Sequence, residues 1–381
     1  MGAGPGDPSL ITVRGRECLQ QAEVVIHDFL LNPALLAWAP NAEIINAAEP
    51  AERHPRPIEQ IIALMIEKAR QGKRVVRLKG GDPLVFGRGG EEALALAEAG
   101  IPFEIVPGVT SATAVPTYAG IPITQRGVAS SLAVIAGHNL DNAEALDWPR
   151  LAHGADTLLF LMGIQQLPYI VDHLLAAGRA PDTPIAVVEQ GTHPGQRTVT
   201  GTLADIAAQA SAAAIRPPAT IIVGQVVKLR ERLRWFDRPD LNPLFGLRLL
   251  TIHSGREAPA AELNGQLTAH GAKARSLAAQ AIGPAPSFQP FLDWLHEESL
   301  PEGAPEGARG VIFAGPAAVE GLARMAPGAA LAGLLRPLAV VCIGPETAEA
   351  AAALFVRVDG VAADLTAESV AEALRSWRSS Q

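Results

Sequence analysis

Residues 77–92 read Arg-Leu-Lys-Gly-Gly-Asp-Pro-Leu-Val-Phe-Gly-Arg-Gly-Gly-Glu-Glu. The block follows the apolar pair Val75-Val76 and precedes a helical pattern at Ala93-Leu94-Ala95-Leu96-Ala97. It is therefore a loop at the carboxyl end of a strand, the edge where open α/β sheets bind ligands. Its glycines permit positive φ and close approach of backbone to ligand. Asp82 is the carboxylate set among them. A lone Gly-rich loop also serves as a tight strand-to-helix connection; here the length of the loop and its charged pairs favour a ligand.

Other segments carry candidate chemistry. Gly2-Ala3-Gly4-Pro5-Gly6-Asp7 is a second Gly-rich turn, but Asp7 stands where a dinucleotide fingerprint would place a glycine. A carboxylate there repels phosphate, so the turn suits a ligand other than a pyrophosphate. No apolar strand precedes Gly2, so the first strand is either absent or encoded upstream. Asp28 follows Val24-Val25-Ile26-His27 at a strand end, where a carboxylate can act as general base; capping a helix from Leu30 to Ala37 is the competing reading. Thr110-Ser111, in a Pro-Gly-Val-Thr-Ser-Ala turn, offer hydroxyls and backbone N–H groups to a ligand carboxylate, or simply cap a helix. His138, after Gly137, reads as a structural hydrogen-bonder. No His/Cys/Asp cluster has metal-ligand spacing, and no Gly-x-Ser-x-Gly elbow is present.

The elements that must position these residues follow from the pattern. Short apolar runs at Val24–Ile26, Val75–Val76, Phe103–Val106, Leu132–Ile135, Leu158–Leu161, Ile185–Val188 and Ile221–Val223 alternate with helical segments such as Pro57–Gln71 and Glu91–Ala99. Such alternation means α/β layers with substantial parallel pairing. A junction after Val106 gives two lobes, residues 1–107 and 108–237, with a cleft between them. The polar, Pro-punctuated stretch 238–246 reads as a linker. Residues 247–381 form a third α/β domain, with strands at Leu247–Ile252, Gly310–Phe313 and Leu338–Ile343, helices at Ala258–His270 and Ala317–Met325, and a surface loop at Pro301–Gly307.

The 381 residues are 48% hydrophobic and 18% charged, which supports a sizeable core and excludes extended disorder. A net charge of −8 argues against a broad nucleic-acid surface. The two cysteines, Cys18 and Cys342, fit a reducing compartment, and no run is long and apolar enough for a membrane span. No targeting segment is visible, so the expected location is the cytoplasm.

Taken in order, Gly2–Pro8 with Leu10-Ile11-Thr12, Val76–Glu92, Pro107–Ala112, Gly120-Ile121-Pro122-Ile123-Thr124-Gln125-Arg126-Gly127, Gly137-His138, Met162-Gly163, Gly191-Thr192 with Gln196-Arg197, Pro218-Ala219, Val223-Gly224 and Trp235-Phe236 resemble the uroporphyrinogen-III C-methyltransferases. The likeness spans residues 1 to about 237. It implies a two-lobed tetrapyrrole methylase fold, a homodimer, and S-adenosylmethionine folded over between the lobes. Pro5, Gly80, Gly81, Asp82, Val85, Thr110, Ser111, Met162 and Gly191 match the cofactor contacts. Asp82 suits the donor's amino group or ribose hydroxyls, and Met162 an adaptable apolar wall. The implied acceptor is uroporphyrinogen III, methylated at C2 and C7 to precorrin-2 on the way to sirohaem or cobalamin. Asp28 matches the proposed proton acceptor. Eight acceptor carboxylates require cations, for which Arg77, Lys79, Arg88 and Arg126 are the candidates, with ion pairing inside the motif as the alternative.

The chain departs from this pattern at Ile44–Pro55, where the family's proposed proton-donating lysine is missing and Arg53 or His54 are the possible substitutes. That departure motivates a second reading, a catalytically decayed protein that binds tetrapyrrole and S-adenosylmethionine. Phe313–Val319, Ile343–Ala348 and Thr366–Val370 resemble uroporphyrinogen-III synthase. This implies a truncated, single-lobed, flavodoxin-like domain at 247–381, and a bifunctional alternative in which it makes the methylase substrate.

Overall fold

The structure, a computed structural model, describes residues 1–381 except 29–30, 48–55, 139–145, 239–240, 243, 256, 280–308, 325–328 and 379–381. The chain forms two compact units, Met1–Thr192 with Thr198–Arg234, and His193–Arg197 with Trp235–Gln381. The surface loop expected at Pro301–Gly307 and the substitutes Arg53 and His54 lie outside the described residues, as does the last residue of the helix expected at Ala317–Met325.

The first unit opens with α1 (Val13–Gln21), capped where the Thr12 hydroxyl accepts the Gly15 N–H at 3.1 Å. Then follow β1 (Val24–His27), β2 (Glu43–Asn46), α2 (Ile58–Arg70), β3 (Val75–Leu78) and α3 (Gly89–Glu98). The strands lie in the order β2-β1-β3, all parallel. Successive side chains of a strand point to opposite faces, and both faces are apolar here. Val25 packs with Leu19, Leu35 and Leu78 on one side, while Val24 and Ile26 pack with Ile61, Met65 and Leu96 on the other. A parallel sheet needs this two-sided cover. Because His27 pairs with both Asn46 and Leu78, the chain leaves all three strands at one edge. Asp28 and Lys79 therefore emerge side by side.

Next come α4 (Ser111–Tyr118), β4 (Leu132–Ala136), α5 (Trp148–Gly154), β5 (Thr157–Leu161), α6 (Leu167–Ala176), β6 (Pro184–Glu189), β7 (Arg197–Thr202), α7 (Ile206–Ala212), β8 (Ala219–Val223) and α8 (Arg230–Leu233). The sheet order is β4-β5-β8-β6-β7. β8 runs antiparallel to both β5 and β6, so β5 and β6 end at the same edge. Leu158, Phe160, Ile185, Val187 and Ile221 pack under α5, α6 and α7, whereas Leu159, Ala186, Val188 and Ile222 pack against Ala112, Val115 and Ala119 of α4.

The second unit holds β9 (Arg248–His253), α9 (Glu257–Ala269), β10 (Lys273–Ala278), β11 (Arg309–Phe313), α10 (Pro316–Ala323), α11 (Ala329–Leu335), β12 (Ala339–Ile343), α12 (Pro345–Ala353), β13 (Gly360–Ala362) and α13 (Ala367–Arg378). Its five strands are parallel in the order β10-β9-β11-β12-β13, a doubly wound, flavodoxin-like arrangement.

Several elements differ from the sequence pattern. Phe103–Val106 is not a strand; of its residues only Val106 is buried, and its carbonyl accepts the Gly2 N–H. β2 and β7, unforeseen, are short edge strands: β2 contributes Ile45 to the core beside Val24 and Ile26, while β7 is mostly polar. β10 and β13 were equally silent. The stretch expected as a linker is partly core, because Leu244 is fully buried with Leu247, Leu263 and Leu267.

Cys342 lies in the core of the second unit, and burial pushes its thiol up to about 11. Titration of the native protein with a chromogenic disulfide reagent should therefore leave Cys342 unmodified until denaturant is added. Rapid labelling of Cys342 in the native state would contradict this packing.

Candidate active site

Three glycine-bearing segments meet backbone to backbone. A Cβ on Gly108 would lie 2.2 Å from the Gly81 carbonyl oxygen and 2.7 Å from Gly2 Cα; one on Gly2 would lie 2.5 Å from both Gly108 Cα and the Gly81 oxygen. No side chain fits at either position. Hydrogen bonds fix the register: Gly2 N–H to Val106 O at 3.0 Å, Ala3 N–H to Lys79 O at 2.7 Å, and Gly81 N–H to Gly4 O at 2.7 Å. The first residues thus run beside the extension of β3. Asp82 closes the junction, since its carboxylate accepts the Leu84 N–H at 2.8 Å and the Gly108 N–H at 3.0 Å. Expected at a ligand's amino group or ribose, Asp82 has a fastening duty as well.

The first turn is also pinned to α4 and to the end of β6. Asp7 is buried, and its carboxylate accepts the Ser9 N–H at 2.8 Å and the Tyr118 hydroxyl at 2.8 Å. Its own N–H donates to the Thr192 hydroxyl at 3.2 Å. Burial, then the neighbouring Asp7 carboxylate, raises the Tyr118 phenol above its ordinary range. Asp7 is therefore an internal tie, not a charge facing a ligand. Sequence reasoning missed Tyr118, which carries no motif signal of its own, and read Thr192 only as part of the Gly191-Thr192 motif, not as a tie to the first turn.

Around this junction the chain leaves room. A Cβ at Gly80 would meet nothing within 4 Å, and Gly81, at φ +64°, lies 3.8 Å by its Cβ position from Ser111 N and Thr110 Cα. Thr110 caps α4 through the Ala112 N–H, while the Ser111 N–H has no partner among the described residues. That leaves a donor at a helix N-terminus for an anionic group. Gly191 packs against Val115 of α4, 2.4 Å from a Cβ position to Val115 Cγ1. Met162 follows the last residue of β5, and Gln190–Thr192 follow β6, at the same edge of the sheet. Met162 is 50% exposed. Phe86, Arg88, Met162, Gln190 and Thr192 all hold positive φ without being glycine, Thr192 at +71°. Such strain concentrates where backbone is shaped for a ligand. Pro5 is half-buried in the first turn, and Val85 is exposed beside Asp82.

Asp28 sits at the same edge, with 35% of its side chain exposed and Oδ1 bound by Arg77 Nη2. Among the described residues it caps no helix; Asn32 does that for the turn beginning at Pro33. Two of the cations expected to face a polyanion do not. Arg77 and Lys79 are 8% and 5% exposed and both bind Glu92 Oε1, at 3.0 and 2.9 Å. The reason is strand alternation, which puts residues 77 and 79 on one covered face of the sheet. The Glu92 carboxylate below them, itself 4% exposed, was not foreseen. Arg88 is exposed and pairs with Glu91 at 2.7 Å, and Arg126 is exposed in the turn Gln125–Ala129. No group of three or more His, Cys, Asp or Glu side chains suited to a metal exists among the described residues.

The fold and site define an α/β protein with a glycine-lined junction at the carboxyl edges of two sheets. Residues 1–207 match the family of tetrapyrrole (corrin/porphyrin) methylases, and the chain belongs to that family. Residues 254–376 match uroporphyrinogen-III synthase HemD. The chain is 48% identical over 238 residues to a siroheme synthase of Pseudomonas entomophila, covering 62% of this chain and 51% of that protein. It is 44% identical over 266 residues to a uroporphyrinogen-III C-methyltransferase of Bacillus subtilis, covering 69% and 54% respectively. It thus spans about half the length of the curated relatives it matches. Among solved structures it is similar to a uroporphyrin-III-C-methyltransferase from Thermus thermophilus, with TM-score 0.53, 43% identity, and coverage of 61% of this chain and 96% of that one. A complex of the Thermus thermophilus enzyme with S-adenyl homocysteine aligns with TM-score 0.51 and 39% identity over 60% of this chain and 97% of that one.

Gly108→Ala forces the junction apart. The variant should lose about 1–3 kcal/mol of stability, the usual cost of overpacking, seen as a lowered denaturation midpoint. An unchanged midpoint would show that the three segments have slack.

Proposed function

We propose that this chain is an S-adenosylmethionine-dependent C-methyltransferase that converts uroporphyrinogen III to precorrin-2 by methylation at C2 and C7, in sirohaem or cobalamin biosynthesis. The observation that carries the reading is the cradle itself: Gly80 open, Ser111 N–H unpartnered, Met162 half-exposed, and strained turns at both sheet edges. A small molecule with a carboxylate, an apolar stretch and hydrogen-bonding groups fits these donors better than a pyrophosphate would.

Bound there, S-adenosylmethionine supplies an electrophilic methyl group on a sulfonium. The Ser111 N–H and the positive end of α4 suit the donor's carboxylate. The open backbone at Gly80 and Gly81 suits its sugar, and Met162 offers soft apolar contact. Asp28, partly exposed at the same sheet edge, suits the role of taking a proton once a pyrrole carbon has formed its new carbon–carbon bond. With Arg77 and Lys79 turned inward, Arg88 and Arg126 remain the candidates for the acceptor's carboxylates.

Cys18 and Cys342 are free thiols, in keeping with a cytoplasmic location. No helix among the described residues is long and apolar enough to cross a membrane. A homodimer belongs to the same reading, and the exposed Leu94, Phe103 and Ile105 supply apolar surface for one. The match of residues 254–376 to the synthase favours a second, bifunctional reading. The second unit holds one parallel sheet among the described residues, and we favour a domain without full synthase activity. Hydroxymethylbilane offered as sole tetrapyrrole should then yield only the type I isomer; formation of the type III isomer would establish the bifunctional reading.

Asp28→Ala should keep affinity for S-adenosylhomocysteine within about threefold and lose about 10²-fold or more in turnover, the scale of a general base. Calorimetric titration and anaerobic absorbance assays measure the two. Full turnover in the variant would remove Asp28 from the mechanism, and donor binding without any product in the wild type would favour the decayed binding protein.

A further inference from the structure

We infer that Glu92 is a positioning residue for Asp28, acting through the Arg77 guanidinium; this rests on the methyltransferase reading and on Asp28 as its base. Every nitrogen of Arg77 is engaged. Nε donates to Glu92 Oε1 at 3.0 Å, Nη1 to the carbonyls of Ile26 and Leu78 at 3.4 Å each, and Nη2 to Asp28 Oδ1. The planar fork is therefore fixed by its partners, and Nη2 holds Asp28, the more exposed of its two carboxylate partners. Asp28 Oδ2 has no partner among the described residues, and 35% of the side chain is exposed.

Glu92 sets that orientation. It projects from the first turn of α3, takes Arg77 Nε and Lys79 Nζ on one oxygen, and is almost wholly buried. Arg77 and Lys79 bring two positive charges into the lobe, and Glu92 with Asp28 supplies two negative ones. Removing the Glu92 charge leaves buried Arg77 with Asp28 as its one carboxylate partner and Lys79 with none among the described residues, so the guanidinium loses its Nε anchor and Asp28 its fixed direction. Breaking a buried pair in this way is costly because the partner charge stays buried, and small displacements of a reacting group lower rates steeply. Lys79 belongs to the same cluster but has no bond to Asp28, so it separates positioning from stability.

The experiment compares Glu92→Gln, Arg77→Lys and Lys79→Met in the full chain. Readouts are turnover with uroporphyrinogen III, affinity for S-adenosylhomocysteine, and the thermal midpoint. Glu92→Gln and Arg77→Lys should lose about 10–100-fold in kcat with donor affinity nearly unchanged. Arg77→Lys keeps the charge while removing the fork, and so tests the geometry in a chain whose charge balance is intact. Lys79→Met should lower the midpoint yet keep most of the turnover. Rate losses that follow the midpoint alike in all three variants would overturn the inference, as would wild-type kcat in Glu92→Gln. An inactive wild type would instead overturn the methyltransferase reading, and this inference with it.

Discussion

Backbone contact among Gly2, Gly81 and Gly108 is the constraint on which the rest of the first unit depends. Three segments far apart in sequence touch without side chains between them. That closeness lets the Asp82 carboxylate reach the Gly108 N–H, puts the start of α4 beside Gly81, and keeps Gly80 open. Loops at strand ends are ordinarily the mobile part of an α/β fold. Here they are fixed by direct chain-to-chain packing, and the Asp7, Tyr118 and Thr192 hydrogen bonds extend the same fixation to the edge of the second sheet. A ligand cradle made of main chain is rigid in its donors and acceptors, which suits a reaction whose main demand is alignment.

Charge is used differently on the two sides of the first sheet's edge. Inside, Arg77, Lys79 and Glu92 form a closed cluster that orients Asp28. Outside, Arg88 and Arg126 stay solvated. A buried ion cluster contributes little net stability compared with apolar packing, so its presence beside Asp28 is better explained by direction than by strength.

Much of this was legible in the sequence because it depends on local rules. Apolar runs gave the buried strands of both sheets of the first unit, since a strand covered on both faces carries its signal on every residue. The glycine-rich turns marked the strand ends, and the hydroxyl before α4 marked its cap. What stayed hidden depends on three-dimensional neighbours. Ile44-Ile45 is too short a run to mark a strand by itself, and the mostly polar Arg197–Thr202 carries little signal, because pairing on an edge asks for little apolar content. Asp7 looked like a charge facing a ligand, and only the Tyr118 hydroxyl above it shows otherwise. Arg77 and Lys79 looked like a basic rim, although their spacing of two already placed them on one face; the missing fact was the buried Glu92 opposite them.

The account stands most directly on where the methyl group goes. Uroporphyrinogen III incubated anaerobically with the chain and S-adenosylmethionine carrying a ¹³C methyl group should give a product with two labelled methyl carbons. Carbon NMR should show both bonded to ring carbons, at C2 and C7. Label on a nitrogen or a carboxylate oxygen, or a donor that binds and never transfers its label, would contradict it.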